Sequence, residues 1–310
     1  MAFPRHRDRL GSLRGVLALP LIAAPMFLVS GPALVLAARR AGIIGSFPFP
    51  NARTLEVLDE WLAIISNEPS AVPWAANLVV HRSYDRLEPE LELLARYRPP
   101  IVITALGSPA RVVDAVHAYG GLIFADVSTL AFARKAAAAG VDGLVLVCAG
   151  AGGHTGTLSP FAFLPAVREF FDGILVLAGC IGDGYALRAA EALGADLAYM
   201  GTPFIATHES LACDAYREMV VAATAEDLVP TDAFTGATAN YLRASIERAG
   251  LDPATLAPKP GMDLSGSQQK IKAWKDIWSA GQGVGGVRAV VPAAELIDRV
   301  RREYLNGATS

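Results

Sequence analysis

One imidazole, His154, sits among four glycines in the run Cys148-Ala149-Gly150-Ala151-Gly152-Gly153-His154-Thr155-Gly156. Glycines let a backbone lie close against a flat ligand, and a histidine at the rim of such a loop can move a proton near neutral pH. With so few side-chain neighbours it has little packing reason to be there, so its setting favours function. The other histidines lack that setting: His6 lies in a basic N-terminal end, His117 in a helical segment, and His81 and His208 near strand ends. Two further small-residue segments, Ala178-Gly179-Cys180-Ile181-Gly182-Asp183-Gly184 and Met200-Gly201-Thr202, could bring backbone N–H groups and a helix N-terminus against a phosphate. Either alone reads equally well as turn punctuation.

Other chemistries find no support. The chain has no Gly-x-Ser-x-Gly elbow, no Gly-x-x-x-x-Gly-Lys-Ser/Thr loop and no His-Glu-x-x-His helix. Gly281, Gly283 and Gly286 spell Gly-x-Gly-x-x-Gly, but no strand precedes them and no acidic residue follows at the dinucleotide distance. Cys148, Cys180 and Cys213 are too far apart for a disulfide framework or a zinc site, which points to a reducing cytoplasm. The formal net charge of −3, from 27 basic and 30 acidic side chains, argues against nucleic-acid binding. Arg5, Arg7 and Arg9, and Arg299, Arg301 and Arg302, read as solvated ends.

The elements that must position these groups follow from hydrophobic patterning. Eight apolar runs of strand length occur at Leu21–Ala24, Ile43–Ser46, Ala75–Val80, Ile101–Thr104, Leu122–Ala125, Gly143–Val147, Ile174–Ala178 and Leu197–Met200. Helix-period segments lie between them, as in Thr54–Ile65, Leu87–Tyr97, Val112–Tyr119, Leu130–Ala139 and Tyr185–Leu193. Gly42, Gly120, Gly140 and Gly194 recur as helix C-caps before the next strand. This is the pattern of an α/β (β/α)8 TIM barrel, with the two small-residue segments after strands seven and eight, where barrels hold phosphate. The stretch Gly15–Ala38 carries no charge, but Pro20, Pro25 and Pro32 cut it, so it reads as a buried strand and a helix rather than as an export signal or a membrane anchor. After Thr207 the alternation stops. Leu211–Thr224, Asn240–Ala249 and Ser267–Ser279 read as helices, so residues 208–280 are expected to form a helical insertion, a lid over a barrel made of 1–207 and 281–310. Pro292–Tyr304 is an amphipathic helix that would close the ring. The apolar composition, 53% hydrophobic against 18% charged, is compatible with a homodimer.

In these loops the chain resembles the nitronate monooxygenase family, the 2-nitropropane dioxygenase-like flavoproteins, from about Pro20 to Gly286. The resemblance is carried by Ala24-Pro25-Met26, Asn77-Leu78, Gly152-Gly153-His154-Thr155-Gly156, Gly179–Gly184, Met200-Gly201-Thr202-Pro203-Phe204, Glu209-Ser210 and Ala280-Gly281-Gln282-Gly283. It implies a barrel with non-covalent FMN and His154 as catalytic base. Pro25 and Met26 would face the flavin ring through their backbone, Asn77 would hydrogen-bond it, and Gly152 and Gly153 would line it. Gly179, Gly182, Gly201 and Thr202 would hold the phosphate, with Ala24, Cys180 and Met200 in the same cofactor set and Gln282 closing the pocket. The implied reaction takes an alkyl nitronate or nitroalkane and O2 to a carbonyl compound and nitrite. An NAD(P)H-dependent FMN reductase of quinones or enoyl thioesters is the alternative on the same barrel. Val147, Cys180, Pro203 and Ser279 depart from residues many members carry there (Gln, Gly, Arg and, in some members, Tyr).

Overall fold

The computed structural model describes residues 4–259 and 274–306. In chain order the strands are β1 (Leu21–Ala23), β2 (Ile44–Pro48), β3 (Trp74–Val79), β4 (Ile101–Ala105), β5 (Leu122–Val127), β6 (Gly143–Val147), β7 (Gly153–His154), β8 (Ile174–Ala178), β9 (Leu197–Met200), β10 (Leu228–Thr231) and β11 (Ala239–Leu242). Eight of them close a parallel barrel in the order β1-β2-β3-β4-β5-β6-β8-β9, with β9 pairing back on β1 through Ile22↔Tyr199. All eight expected runs are barrel strands, because an apolar run buried on both faces has no other stable place in an α/β chain.

Alternation along each strand sorts the side chains into two layers. Ile22, Ile44, Ala75, Ile101, Ile103, Phe124, Val145, Val176 and Leu197 fill the barrel interior. Their neighbours Leu21, Ala76, Leu78, Val102, Ile123, Leu144, Leu146 and Leu175 pack outward against the helix ring. The helix ends follow the glycine signal: Gly42, Gly120, Gly140 and Gly194 have φ of +85°, +85°, +86° and +105°, a backbone conformation that costs glycine least.

Two parts of the fold differ from expectation. The basic N-terminal end forms a helix, Pro4–Gly15, whose Leu13 packs with the barrel-interior side chains. A groove bounded by Ser12, Leu13, Val16, Trp74, Pro100 and Leu122 sets this helix against the starts of β3, β4 and β5, so it closes the end of the barrel opposite the C-terminal mouth. Segment 208–280 is not helical throughout. A helix spans Asp214–Ala222, but Asn240, the expected start of another, lies in β11, and only Arg243–Arg248 is helical beyond it. Ala239, Asn240, Tyr241 and Leu242 are all buried, and β11 pairs antiparallel with both β10 and β7, so ladder bonds on two sides outweigh helix periodicity. The helix expected over Ser267–Ser279 falls largely outside the described residues. Its described end carries a turn and a bridge from Ser279 to Tyr241.

The chain-terminal helix Ala293–Asn306 buries Leu296, Ile297 and Val300 against the ring, as its amphipathic pattern requires. Among the described residues no helix is long and apolar enough to cross a membrane.

Candidate active site at the barrel mouth

His154 is positioned by a strand of only two residues. β7 pairs with β11 in the register Ala239↔His154 and Asn240↔Gly153, so the glycine loop is held by segment 208–280 rather than by the barrel alone. Asn240, buried, donates through Nδ2 to the Ala151 carbonyl at 2.8 Å, and the Thr155 amide donates to Thr238 at 3.0 Å. The Thr155 hydroxyl donates to the Cys148 carbonyl at 3.0 Å, tying the far end of the loop to the end of β6.

The imidazole itself has one hydrogen-bond partner among the described residues. Nε2 lies 3.1 Å from Oγ1 of buried Thr235, and that hydroxyl in turn lies 3.1 Å from the Ala237 carbonyl. A hydroxyl has a single proton, and a carbonyl can only accept. With the Thr235 proton given to Ala237, Oγ1 accepts from His154, which fixes the proton on Nε2 and leaves the Nδ1 lone pair available. The Trp274 ring meets the imidazole edge to face at 5.2 Å and leans on Tyr241, also at 5.2 Å. Burial in this aromatic corner holds the His154 pKa below its ordinary value, so the ring is neutral at neutral pH.

The glycine segments meet backbone to backbone. A Cβ on Gly152 would stand 2.7 Å from the Gly281 amide nitrogen, and one on Gly182 would stand 2.8 Å from the Gly283 carbonyl. Gln282 N–H donates to Gly150 at 2.9 Å, and Gly281 N–H to the Thr202 hydroxyl at 2.8 Å. Gln282 and Gly152 are exposed at this junction, while Thr202 and Gly182 are buried in it. Among the described residues the amides of Gly179, Cys180 and Gly201 have no hydrogen-bond partner, an arrangement that suits an anion. Cys180 adopts φ +61°, where a glycine would be unstrained. The helix start after β8 is already satisfied: Asp183 accepts from the Ala186 amide at 2.7 Å and Glu303 from the Gly184 amide at 2.9 Å. A phosphate at this mouth would therefore meet the loop amides and the helix start after β9, Gly201 being the residue before the helix Thr202–Ile205, rather than the capped helix start after β8.

Ala24, Pro25 and Met26 form a half-buried ledge after β1, fixed by Asn51, whose Nδ2 donates to the Met26 carbonyl at 2.9 Å. Asn77 projects inward from β3 and donates Nδ2 to Ile103 at 3.2 Å. Met200 turns its side chain into the outer core and offers only backbone to the mouth, its carbonyl accepting from Ala24 N–H at 2.9 Å. Burial pushes the Cys148 thiol up to about 12 and raises that of Cys180, so neither is a thiolate nucleophile. Among the described residues no cluster of side chains suits a metal.

Sequence reasoning missed Thr235, Asn240 and Trp274, which hold His154, and Asp126 and Tyr199 on the inner wall. Asp126 carried a usable signal. It stands two residues after inward-facing Phe124, at the mouth end of β5, where a carboxylate is out of place in an apolar strand.

Comparison with known proteins agrees with this geometry. The sequence profile of the family described as nitronate monooxygenase matches residues 49–303. A nitronate monooxygenase of Pseudomonas aeruginosa is 30% identical over 97% of this chain and 99% of its own. Among solved structures, the nitroalkane oxidase of Streptomyces ansochromogenes superposes with a TM-score of 0.80 at 24% identity, covering 96% of this chain and 99% of that one. FabK of Thermotoga maritima gives 0.78 at 22% identity, covering 97% of each chain. These two likenesses are of fold. A profile match over most of the chain, joined to a relative 30% identical along nearly its whole length, places this protein in the nitronate monooxygenase family of flavin-dependent oxidoreductases.

Proposed function

We propose that the protein is an FMN-dependent nitronate monooxygenase that takes alkyl nitronates, and neutral nitroalkanes after loss of a proton, to carbonyl compounds and nitrite with O2. The observation that carries this reading is a half-buried, neutral His154 pinned through Nε2 beside a glycine-lined mouth. Such a ring is a general base with its Nδ1 lone pair free.

FMN suits the residues present. The unpaired amides of Gly179, Cys180 and Gly201 would take its phosphate, and the backbone of Pro25, Met26, Gly152 and Gly153 would line its ring, with Asn77 on the inner wall. When bound, the flavin supplies acceptance of electrons from the nitronate and their delivery to O2. The protein's own residues do the rest. His154 Nδ1 takes the proton from the carbon next to the nitro group, and Thr235 keeps the ring in the orientation and tautomer that this requires. Trp274, Tyr241 and Phe234 exclude water on the far side of the imidazole. Residues 208–280 act as the substrate cover on a barrel formed by 1–207 and 281–310.

The test is the visible spectrum of the anaerobic protein before and after propyl-2-nitronate and, separately, NADH or NADPH. Reduction by nitronate and not by nicotinamide is the expected result. Rapid bleaching by a nicotinamide with no response to nitronate overturns it in favour of a reductase.

A further inference from the structure

Along the inner wall of the barrel, polar side chains are few and most are satisfied. Ser46 donates to the Ala23 carbonyl at 2.5 Å and Asn77 to that of Ile103 at 3.2 Å. Two are not satisfied. Asp126 follows inward-facing Phe124 by two residues on β5, and Tyr199 follows inward-facing Leu197 by two on β9, so both reach the interior at the mouth ends of their strands. Oδ1 of Asp126 and the Tyr199 hydroxyl are sealed from solvent and have no hydrogen-bond partner among the described residues, and Tyr199 is 92% buried, being 8% exposed. Burial first, and the charge of an ionised Asp126 second, push the Tyr199 phenol well above its ordinary value.

A buried polar atom without a partner is costly, and an apolar pair of similar shape would fill the barrel at no such cost. What distinguishes these two from the rest of the wall is that both face the mouth. We propose that Asp126 and Tyr199 form a two-donor subsite at the floor of the barrel mouth, which receives an acceptor oxygen of the planar ligand held above it. The oxygen belongs either to a ring carbonyl of the flavin or to the nitro or nitronate group of the substrate. The chemistry is the same for both. Burial lifts the Asp126 carboxyl to about 7, so below that pH it keeps a proton to donate, and the phenol stays protonated throughout. With the carboxyl protonated, two neutral donors in an apolar floor match an acceptor or an oxyanion and would leave a cation without a counter-charge.

This subsite rests on the flavin-binding part of the proposed function, and its test does not depend on turnover. The dissociation constant of FMN is measured on apoprotein by quenching of flavin fluorescence, and that of nitrate, a planar oxyanion, by perturbation of the flavin spectrum in holoprotein. Each is measured for wild type, D126N, D126L and Y199F. If the flavin is the ligand, D126L and Y199F weaken FMN roughly tenfold each, as loss of one buried donor does. If the substrate is the ligand, FMN affinity holds and nitrate affinity falls by that factor. D126N, which keeps the shape and a donor, stays within about threefold of wild type in both assays. Apoprotein thermal scans should show D126L and Y199F melting no lower than wild type, because the partnerless group has gone. Unchanged affinity for both probes in D126L and Y199F overturns the subsite, and so does a wild type that binds neither. A holoprotein that binds FMN through this pair yet is not reduced by nitronates overturns the proposed activity alone.

Discussion

Replacing Thr235 by valine removes the hydroxyl that holds His154 and leaves a side chain of nearly the same shape, so no cavity opens. Three hydrogen bonds are lost: His154 Nε2 with Thr235 at 3.1 Å, Thr235 to the Ala237 carbonyl at 3.1 Å, and the Ala237 amide to Thr235 at 3.4 Å. At about 0.5–1.5 kcal/mol each, the folded state loses about 1.5–4.5 kcal/mol. The same loss frees the imidazole to turn and to carry its proton on either nitrogen, and a cost of about 1.4 kcal/mol in the proton-transfer step is a tenfold slowing. The discriminating assay is steady-state kinetics with a neutral nitroalkane beside its preformed nitronate, because only the first needs the base. T235V should lower kcat/KM for the nitroalkane about tenfold and change that for the nitronate by less than about twofold, while T235S restores both. Nitrogen-15 NMR of the wild type should show the proton on Nε2. Because burial holds His154 below its ordinary pKa of 6.5, kcat/KM for the nitroalkane should be flat above that pH and fall as acid protonates the base. Equal losses on both substrates, or an Nδ1–H tautomer in the wild type, would refute the hydrogen-bond accounting.

His154→Ala should keep flavin bound while slowing neutral nitroalkane turnover by roughly 10²–10⁴; unchanged turnover removes His154 from the mechanism. Gly201→Asp should expel FMN by setting a carboxylate against the phosphate. A Cβ at Gly201 meets only Met26 at 3.4 Å and Ala24 at 3.6 Å, so Gly201→Ala should stay yellow and separate charge from bulk; a yellow aspartate variant would put the phosphate elsewhere. Leu13→Ala, which empties the plug under the barrel, should lower stability by about 2–4 kcal/mol in urea melts, and an unchanged midpoint would show that the helix contributes nothing to the core.

The barrel was legible because its strands are buried on both faces and bounded by glycine-capped helices, a pattern that local sequence carries in full. The loops after β6, β8 and β9 were legible for the same reason, since glycines mark where backbone must come close. What was not legible was non-local. β7 is two residues long and exists only through its pairing with β11, and Val229 and Pro230 do not announce an edge strand that β11 alone can use. Thr235 lies 81 residues from the ring it holds, and no spacing rule reaches that far. The N-terminal helix looked like a basic tail because its arginines outnumber the one leucine, Leu13, that is buried in the barrel.

The pairing of β7 with β11 puts His154, the proposed base, and the segment proposed to cover the site on one continuous hydrogen-bonded ribbon. A displacement of the ribbon would carry the imidazole with it, so on the proposed reading the mouth could not open by moving this ribbon and keep the base in register at the same time. On that reading, sequence drift in residues 208–280 would bear on the chemistry as well as on substrate fit. Relatives that exchange this segment would inherit a differently aimed histidine on an unchanged barrel, which would give the architecture a route to new reactions without touching the loops proposed to hold the cofactor.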